Sequence, residues 1–166
     1  DPYSFLPFFS EFDLHLFNEG TYHFAYERLG AHVLEVGGIK GVYFSVWAPN
    51  ARRVSVVGDF NKWNGRIHQM RVLGNSGVWE IFVPQAGEGA KYKFEIKTRE
   101  GNLLLKADPY AFFSEMRPAT ASIVYNLSPF SWKDEEWMER RKSQNLLSSP
   151  WSIYEVHLGS WRRGED

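Results

Sequence analysis

Residues 91–97 alternate strictly, with Tyr92, Phe94 and Ile96 on one side and Lys91, Lys93, Glu95 and Lys97 on the other. That is the period of a β-strand with one dry and one wet face. Residues 78–83 alternate in the same way, setting Trp79, Ile81 and Val83 against Val78, Glu80 and Phe82, which predicts a core position for Trp79. Further short runs of β-branched and aromatic residues at 32–36, 42–47, 54–57, 103–105 and 122–125 bring the strands to seven. Clusters of Gly, Asn, Asp and Pro separate them. Pro84, Gly87 and Gly89 precede the 92–98 strand, and Gly101 with Asn102 follows it, as hairpin connections require. The pattern predicts an all-β fold, an immunoglobulin-like antiparallel β-sandwich over residues 31–127, with consecutive strands pairing.

The flanks differ in texture. Residues 1–30 form an aromatic-rich lead-in without strand alternation. Thr21 is placed to cap a short helix carrying Phe24, Ala25 and Leu29, with Gly30 as its stop. Residues 128–150 read as a helical linker: Ser131 can cap, Glu135 and Glu136 suit the first turn, and Arg140, Arg141 and Lys142 suit the last. The run WSIYEVHLGSW, in the final segment 151–166, is strand-like and has no later partner in this sequence. An unpaired apolar strand is a liability, so the pattern predicts a truncated second domain.

Composition narrows the functional classes. With 43% hydrophobic and 17% aromatic residues, the chain is globular rather than disordered. Nineteen basic and 20 acidic residues in 166 leave no global field for nucleic acid or anionic lipid, so neither partner is expected. Cysteine is absent, which removes disulfides, thiolate metal sites and cysteine nucleophiles and fits a reducing, cytoplasmic setting. No apolar run approaches a membrane span, and the start DPYSFLPFFSEF lacks the marks of an export signal.

The search for reactive groups is largely negative. Gly74, Asn75, Ser76 and Gly77 lack the spacing of a nucleophile elbow. His15, His23, His32, His68 and His157 show no metal-ligand spacing, so no metal is expected. Gly87 and Gly89 do not open a helix as a dinucleotide loop would, and no cofactor is expected. The acid run Asp134, Glu135 and Glu136 reads as a solvated helix face. No catalytic residue is assigned within this sequence.

The most informative local feature is GDFNKWNG, residues 58–65, where Trp63 stands among Asp59, Asn61, Lys62 and Asn64. A sugar ring has apolar C–H faces and polar edges, so a site for it needs a flat aromatic ring with amides or charged groups beside it. Trp63, Asn61 and Lys93 supply that chemistry, making them the candidate carbohydrate-binding residues. The alternative is that Trp63 folds back and plugs one end of the sandwich. Covering about 100 Å² of sugar face yields roughly 2–3 kcal/mol, whereas millimolar binding already needs about 4 kcal/mol. A single such platform therefore suits long, repetitive glycans held at several points.

Several segments together resemble the amino-terminal region of bacterial-type 1,4-α-glucan (glycogen) branching enzymes. They are YERLGAH at 26–32, FSVWAPNARRVSVVGDFNKWNG at 44–65, SGVWEIFVP at 76–84, YKFEI at 92–96, LKADPYAF at 105–112, MRPATAS at 116–122 and IYEVHLGSWRR at 153–163. WAPNA with GDFN-x-W is similar to carbohydrate-binding modules of the glycogen-binding type in general, including those of debranching enzymes. The ADPYA, RPATAS and YEVHLGSW strings resemble branching enzymes in particular.

The resemblance implies that 31–127 is a glucan-binding module and that 151–166 begins a (β/α)₈ barrel of the α-amylase superfamily. The barrel's catalytic Asp and Glu would then lie outside this sequence, carrying out a retaining transfer of α-1,4-glucan to a 6-hydroxyl. It also implies that Trp63 stacks on glucose, that Lys93 makes a polar contact, and that Leu105 stands where related regulatory modules carry a second stacking Trp. The implied partners are an α-1,4-glucan and the parent's own barrel. Glu155 and His157 would share one face of the barrel strand. A stand-alone glycan-binding or scaffolding module, and a module of a debranching enzyme, remain the alternatives.

Overall fold

The computed structural model describes residues 1–84, 86–162 and 164, with the side chain of Leu146 excepted. The chain divides into two compact units, residues 1–127 and 128–166.

The first unit is a two-sheet sandwich. Strands β1 (Gly30–Val36), β2 (Ile39–Trp47), β4 (Arg71–Val72) and β5 (Val78–Val83) form one antiparallel sheet in the order β1-β2-β5-β4. The second sheet contains β3 (Ala51–Gly58), β6 (Lys91–Thr98), β7 (Leu103–Lys106), β8 (Phe113–Ser114) and β9 (Ser122–Ile123). One edge of β6 pairs with β3, and the other is shared by β7 along Phe94–Lys97 and β9 at Lys91 and Tyr92. Inward residues Val42, Phe44, Val54, Val56, Ile81, Val83, Tyr92 and Phe94 close a dry core between the sheets. Each fully buried side chain of this size contributes roughly 1.5–3 kcal/mol. Trp79 packs against this core and donates its indole N–H to Ala48 O at 3.0 Å.

The pairing expectation needs correction: of the seven predicted strands, only 32–36 with 42–47 and 92–98 with 103–105 pair with the next one along the chain. Residues 78–83 and 92–98 do not form a hairpin: β5 pairs with β2 and β4, while β6 lies in the other sheet. Pro84, Gly87 and Gly89 therefore carry the chain across the sandwich. Turn residues announce a change of direction without saying which sheet follows.

The lead-in also differs from expectation. Its helix is α1 (Glu11–Glu19), capped reciprocally by Ser10 Oγ and the Asp13 carboxylate and ended by Gly20 at φ +86°. The helix expected after Thr21 is a single 3₁₀ turn, Ala25–Glu27. Gly30 is not its stop but the first residue of β1, at φ +101°, where a Cβ would fall 3.0 Å from Tyr110 O. Phe9, Leu29, Leu73 and Val78 form a second apolar cluster joined by Leu14 and Phe17, so the lead-in covers the outer face of β5.

In the second unit, helix α2 (Glu135–Ser143) begins at Asp134 rather than Ser131, with acidic residues in its first turn and Arg140, Arg141 and Lys142 in its last. Residues 151–157 carry no ladder, and α3 (Leu158–Trp161) is one helical turn, where a strand is expected over 151–161. A strand is defined by its ladder, and among the described residues none forms a β-ladder with 151–157. Among the described residues no helix is long and apolar enough to cross a membrane.

Candidate functional site

The loop that follows β3 is built from the inside outward. Asn61 is buried, with 4% of its surface exposed. Its Oδ1 accepts the Gly58 N–H at 2.9 Å, and its Nδ2 donates to Val56 O at 2.9 Å and to His68 Nδ1 at 3.0 Å. Burial lowers the pKa of His68, which favours the neutral imidazole that can accept this bond. Asn61, expected at the surface as a ligand for sugar hydroxyls, is instead the loop's internal anchor, because its amide is consumed by backbone and imidazole partners.

That anchor holds an unusual backbone. Lys62 and Trp63 both have positive φ, 54° and 59°, an arrangement that is an outlier for a residue as bulky as Trp. The Trp63 N–H donates to Gly58 O at 3.0 Å, and its indole Nε1–H donates to Asp59 Oδ1 at 3.2 Å. The other Asp59 oxygen accepts the Lys91 N–H at 3.3 Å, tying the indole to β6. Gly58 is required by crowding: a Cβ there would lie 2.3 Å from Lys91 O and 2.7 Å from the Phe60 ring. The ring is consequently fixed yet 40% exposed, rather than folded back as a plug.

Trp63 forms part of a cleft of about 490 Å³ on the outer face of the second sheet, with Arg53, Lys62, Arg66, Glu95, Lys97 and Leu103 among its other walls. Arg53 Nη2 donates to Glu95 Oε1 at 2.5 Å, and the backbone of Gly65 passes directly over that carboxylate. A Cβ at position 65 would sit 2.2 Å from Glu95 Oε1, so any larger residue there must push that carboxylate aside. The volume is within the range of small-ligand sites.

Lys93 lies on the same wet face of β6, as its alternation predicts, but is not part of the cleft wall. Its ammonium donates to Thr120 Oγ1 at 2.7 Å. Together with the Lys91–Glu115 pair at 2.8 Å it ties residues 115–120 to β6. Leu105, opposite Glu95 in the ladder, is exposed beside Leu103 on this outer face. Sequence reasoning omits Arg53, Glu95, Lys97 and Leu103 from the site, although alternation places Glu95 and Lys97 with Lys93 and the β3–β6 register places Arg53 opposite Lys97. Among the described residues no group of three or more His, Asp or Glu side chains could hold a metal ion.

Comparison with known families decides the classification. The profile of carbohydrate-binding module 48, the isoamylase N-terminal domain, matches residues 28–111, which include both sheets' long strands and the whole cleft. The chain belongs to this family.

Relatives of the chain are longer proteins. The carbohydrate-binding module 48 chain is 61% identical over 167 residues to the 1,4-alpha-glucan branching enzyme GlgB of Rubrobacter xylanophilus, covering 100% of this chain and 23% of that protein. It is 57% identical over 162 residues to the GlgB of a Synechocystis species, covering 97% of this chain and 21% of that protein. The chain thus spans about a fifth of the length of these curated relatives. The structure of the Klebsiella pneumoniae pullulanase complexed with maltotriose superposes with a TM-score of 0.50 at 28% identity, covering 74% of this chain and 12% of that one.

Proposed function

We propose that this carbohydrate-binding module 48 chain is the amino-terminal region of a 1,4-α-glucan branching enzyme and that its Trp63 cleft holds α-1,4-glucan. The observation that carries the parentage is the extent of the likeness. Identity of 61% to a branching enzyme runs over 100% of this chain, beyond the family's own 28–111, whereas the pullulanase is 28% identical. The fixed, half-exposed indole with charged and amide neighbours supports the glucan assignment.

In this reading the parent breaks an α-1,4 link, holds the donor on one carboxylate and passes it to a glucan 6-hydroxyl, with a second carboxylate moving the proton. Those carboxylates belong to a barrel beyond the sandwich. This segment contributes attachment to the polymer and packing against that barrel, in the cytoplasm. A stand-alone glycan-binding module is the second reading, favoured by the closed core of residues 1–127.

Two experiments test these statements. The complete reading frame should continue into a barrel with an Asp and a Glu at strand ends; a frame without one removes the transferase. In native gels containing glycogen, the wild-type chain should be retarded and Trp63→Ala should run freely. Equal retardation of both would take Trp63 out of the site.

A further inference from the structure

The charges around Trp63 are unbalanced. Five charged cationic or anionic side chains line the cleft: Arg53, Lys62, Arg66, Lys97 and Glu95. Glu95 is taken by Arg53 at 2.5 Å. Lys62, Arg66 and Lys97 have no carboxylate partner within ion-pair distance among the described residues. A neutral hexose can accept hydrogen bonds from these cations but brings no charge to offset their mutual repulsion, which costs stability. They come from two elements: Lys62 and Arg66 from the loop, and Lys97 from the wet face of β6 across from Arg53. The positive φ of Lys62 and the glycine at 65 are what set the loop over the sheet and bring these cations to one cleft.

We propose that this cleft selects glucan carrying phosphate monoesters, with Trp63 against the glucose face and Lys62, Arg66 and Lys97 around the phosphate. The proposal rests on the glucan assignment of the same site and adds its preferred chemical form. A phosphate monoester carries close to two negative charges at neutral pH and three strong acceptor oxygens, which matches three donor cations. Its attraction to exposed Lys and Arg is screened as salt rises, whereas stacking of the sugar face on the indole is not.

The test is retardation of the 166-residue chain in gels containing amylopectin rich in phosphate monoesters, beside the same amylopectin after phosphatase treatment. At low ionic strength the untreated polymer should be bound at least about tenfold more tightly, and about 0.5 M salt should erase most of that difference while leaving binding to the treated polymer unchanged. The variant Lys62→Gln/Arg66→Gln/Lys97→Gln should bind both polymers alike, losing the preference for the untreated one. All three side chains line the surface, and circular dichroism with a thermal melt checks that the variant is folded. Equal wild-type binding to both polymers overturns the phosphate preference and leaves the glucan assignment standing; no binding to either overturns both. Competition by inorganic phosphate as strong as by glucose 6-phosphate would identify a bare anion site and overturn the proposal, since the indole would then add nothing.

Discussion

The Tyr92 hydroxyl donates to Asp108 Oδ2 at 2.6 Å inside the sandwich, joining the start of β6 to the turn that leads out of β7. Asp108 also accepts the Tyr110 N–H at 2.8 Å, and its own N–H donates to Ser122 Oγ at 2.9 Å. The carboxyl is only 6% exposed. Burial pushes its pKa up to about 6, with the two hydrogen bonds acting in the opposite direction, from an ordinary value of 3.8.

A raised carboxyl pKa means that the folded state holds this proton more tightly than the unfolded chain. The stabilisation is fully present below about pH 3.8 and is lost as pH rises through about 6. At about 1.4 kcal/mol per pKa unit it is on the order of 3 kcal/mol. The wild-type chain should therefore lose stability relative to Asp108→Asn between those pH values, because the amide cannot ionise. Urea midpoints of both proteins at pH 4, 5, 6 and 7 check this. A gap that stays constant with pH would show that Asp108 is ionised throughout.

Glu80 supports a second prediction. It is fully buried on the outer face of β5, where its carboxylate accepts the Phe8 N–H at 3.0 Å and the Phe9 N–H at 3.3 Å and pairs with Arg71 at 2.8 Å. Arg71 in turn donates to Phe5 O at 2.6 Å. Replacing the carboxylate by an amide leaves the partly exposed Arg71 guanidinium without its counter-charge and one acceptor oxygen fewer for the two backbone donors, which costs about 1–3 kcal/mol. Glu80→Gln should unfold at correspondingly lower urea and free residues 1–9 to limited proteolysis before the sandwich is cut. Unchanged protection of those residues would show that apolar packing alone holds the lead-in.

Strand positions were legible because one-sided burial writes itself as alternation: residues 78–83 carry the same boundaries in the pattern and in the fold. The short strands Arg71–Val72 and Phe113–Ser114 are only two residues each, too few to show a period. The lead-in helix had its signature in Ser10 and Asp13, the short form of a capping box, but its apolar residues face a sheet rather than a regular helical neighbour. Trp63 stood out by its polar company, yet the same company misassigns Asn61. Whether an amide faces water or the interior is settled by Val56 O and His68, contacts made through folding rather than through adjacency.

The two crowded glycines should separate when tested together. At position 58 the obstruction is a backbone oxygen at 2.3 Å, while at 65 it is the end of the Glu95 side chain at 2.2 Å. Backbone cannot move without opening the β3–β6 ladder, so Gly58→Ala should cost about 1–3 kcal/mol. Gly65→Ala should cost less stability but displace Glu95 from Arg53 and weaken retention on glycogen. Calorimetry and gel retardation of the two variants check the ordering; equal losses of stability would contradict it.

Leu105 offers the complementary gain. It is exposed on the outer face, opposite Glu95 and two residues from Leu103 in the cleft wall. A solvent-facing Leu presents branched methyl groups, which cover little of a flat sugar face. Leu105→Trp would add a second platform on the same surface as Trp63 without displacing a core side chain. About 50–80 Å² of additional sugar face covered at about 25 cal/mol per Å² is worth roughly 1–2 kcal/mol. Binding of maltoheptaose should therefore tighten by about fivefold to thirtyfold. In the Trp63→Ala background the same substitution should restore retention on glycogen only in part, because one ring again acts alone. Isothermal titration of the single and double variants checks both statements, and full recovery by Leu105→Trp alone would place the glucan against β7 rather than against the Trp63 loop.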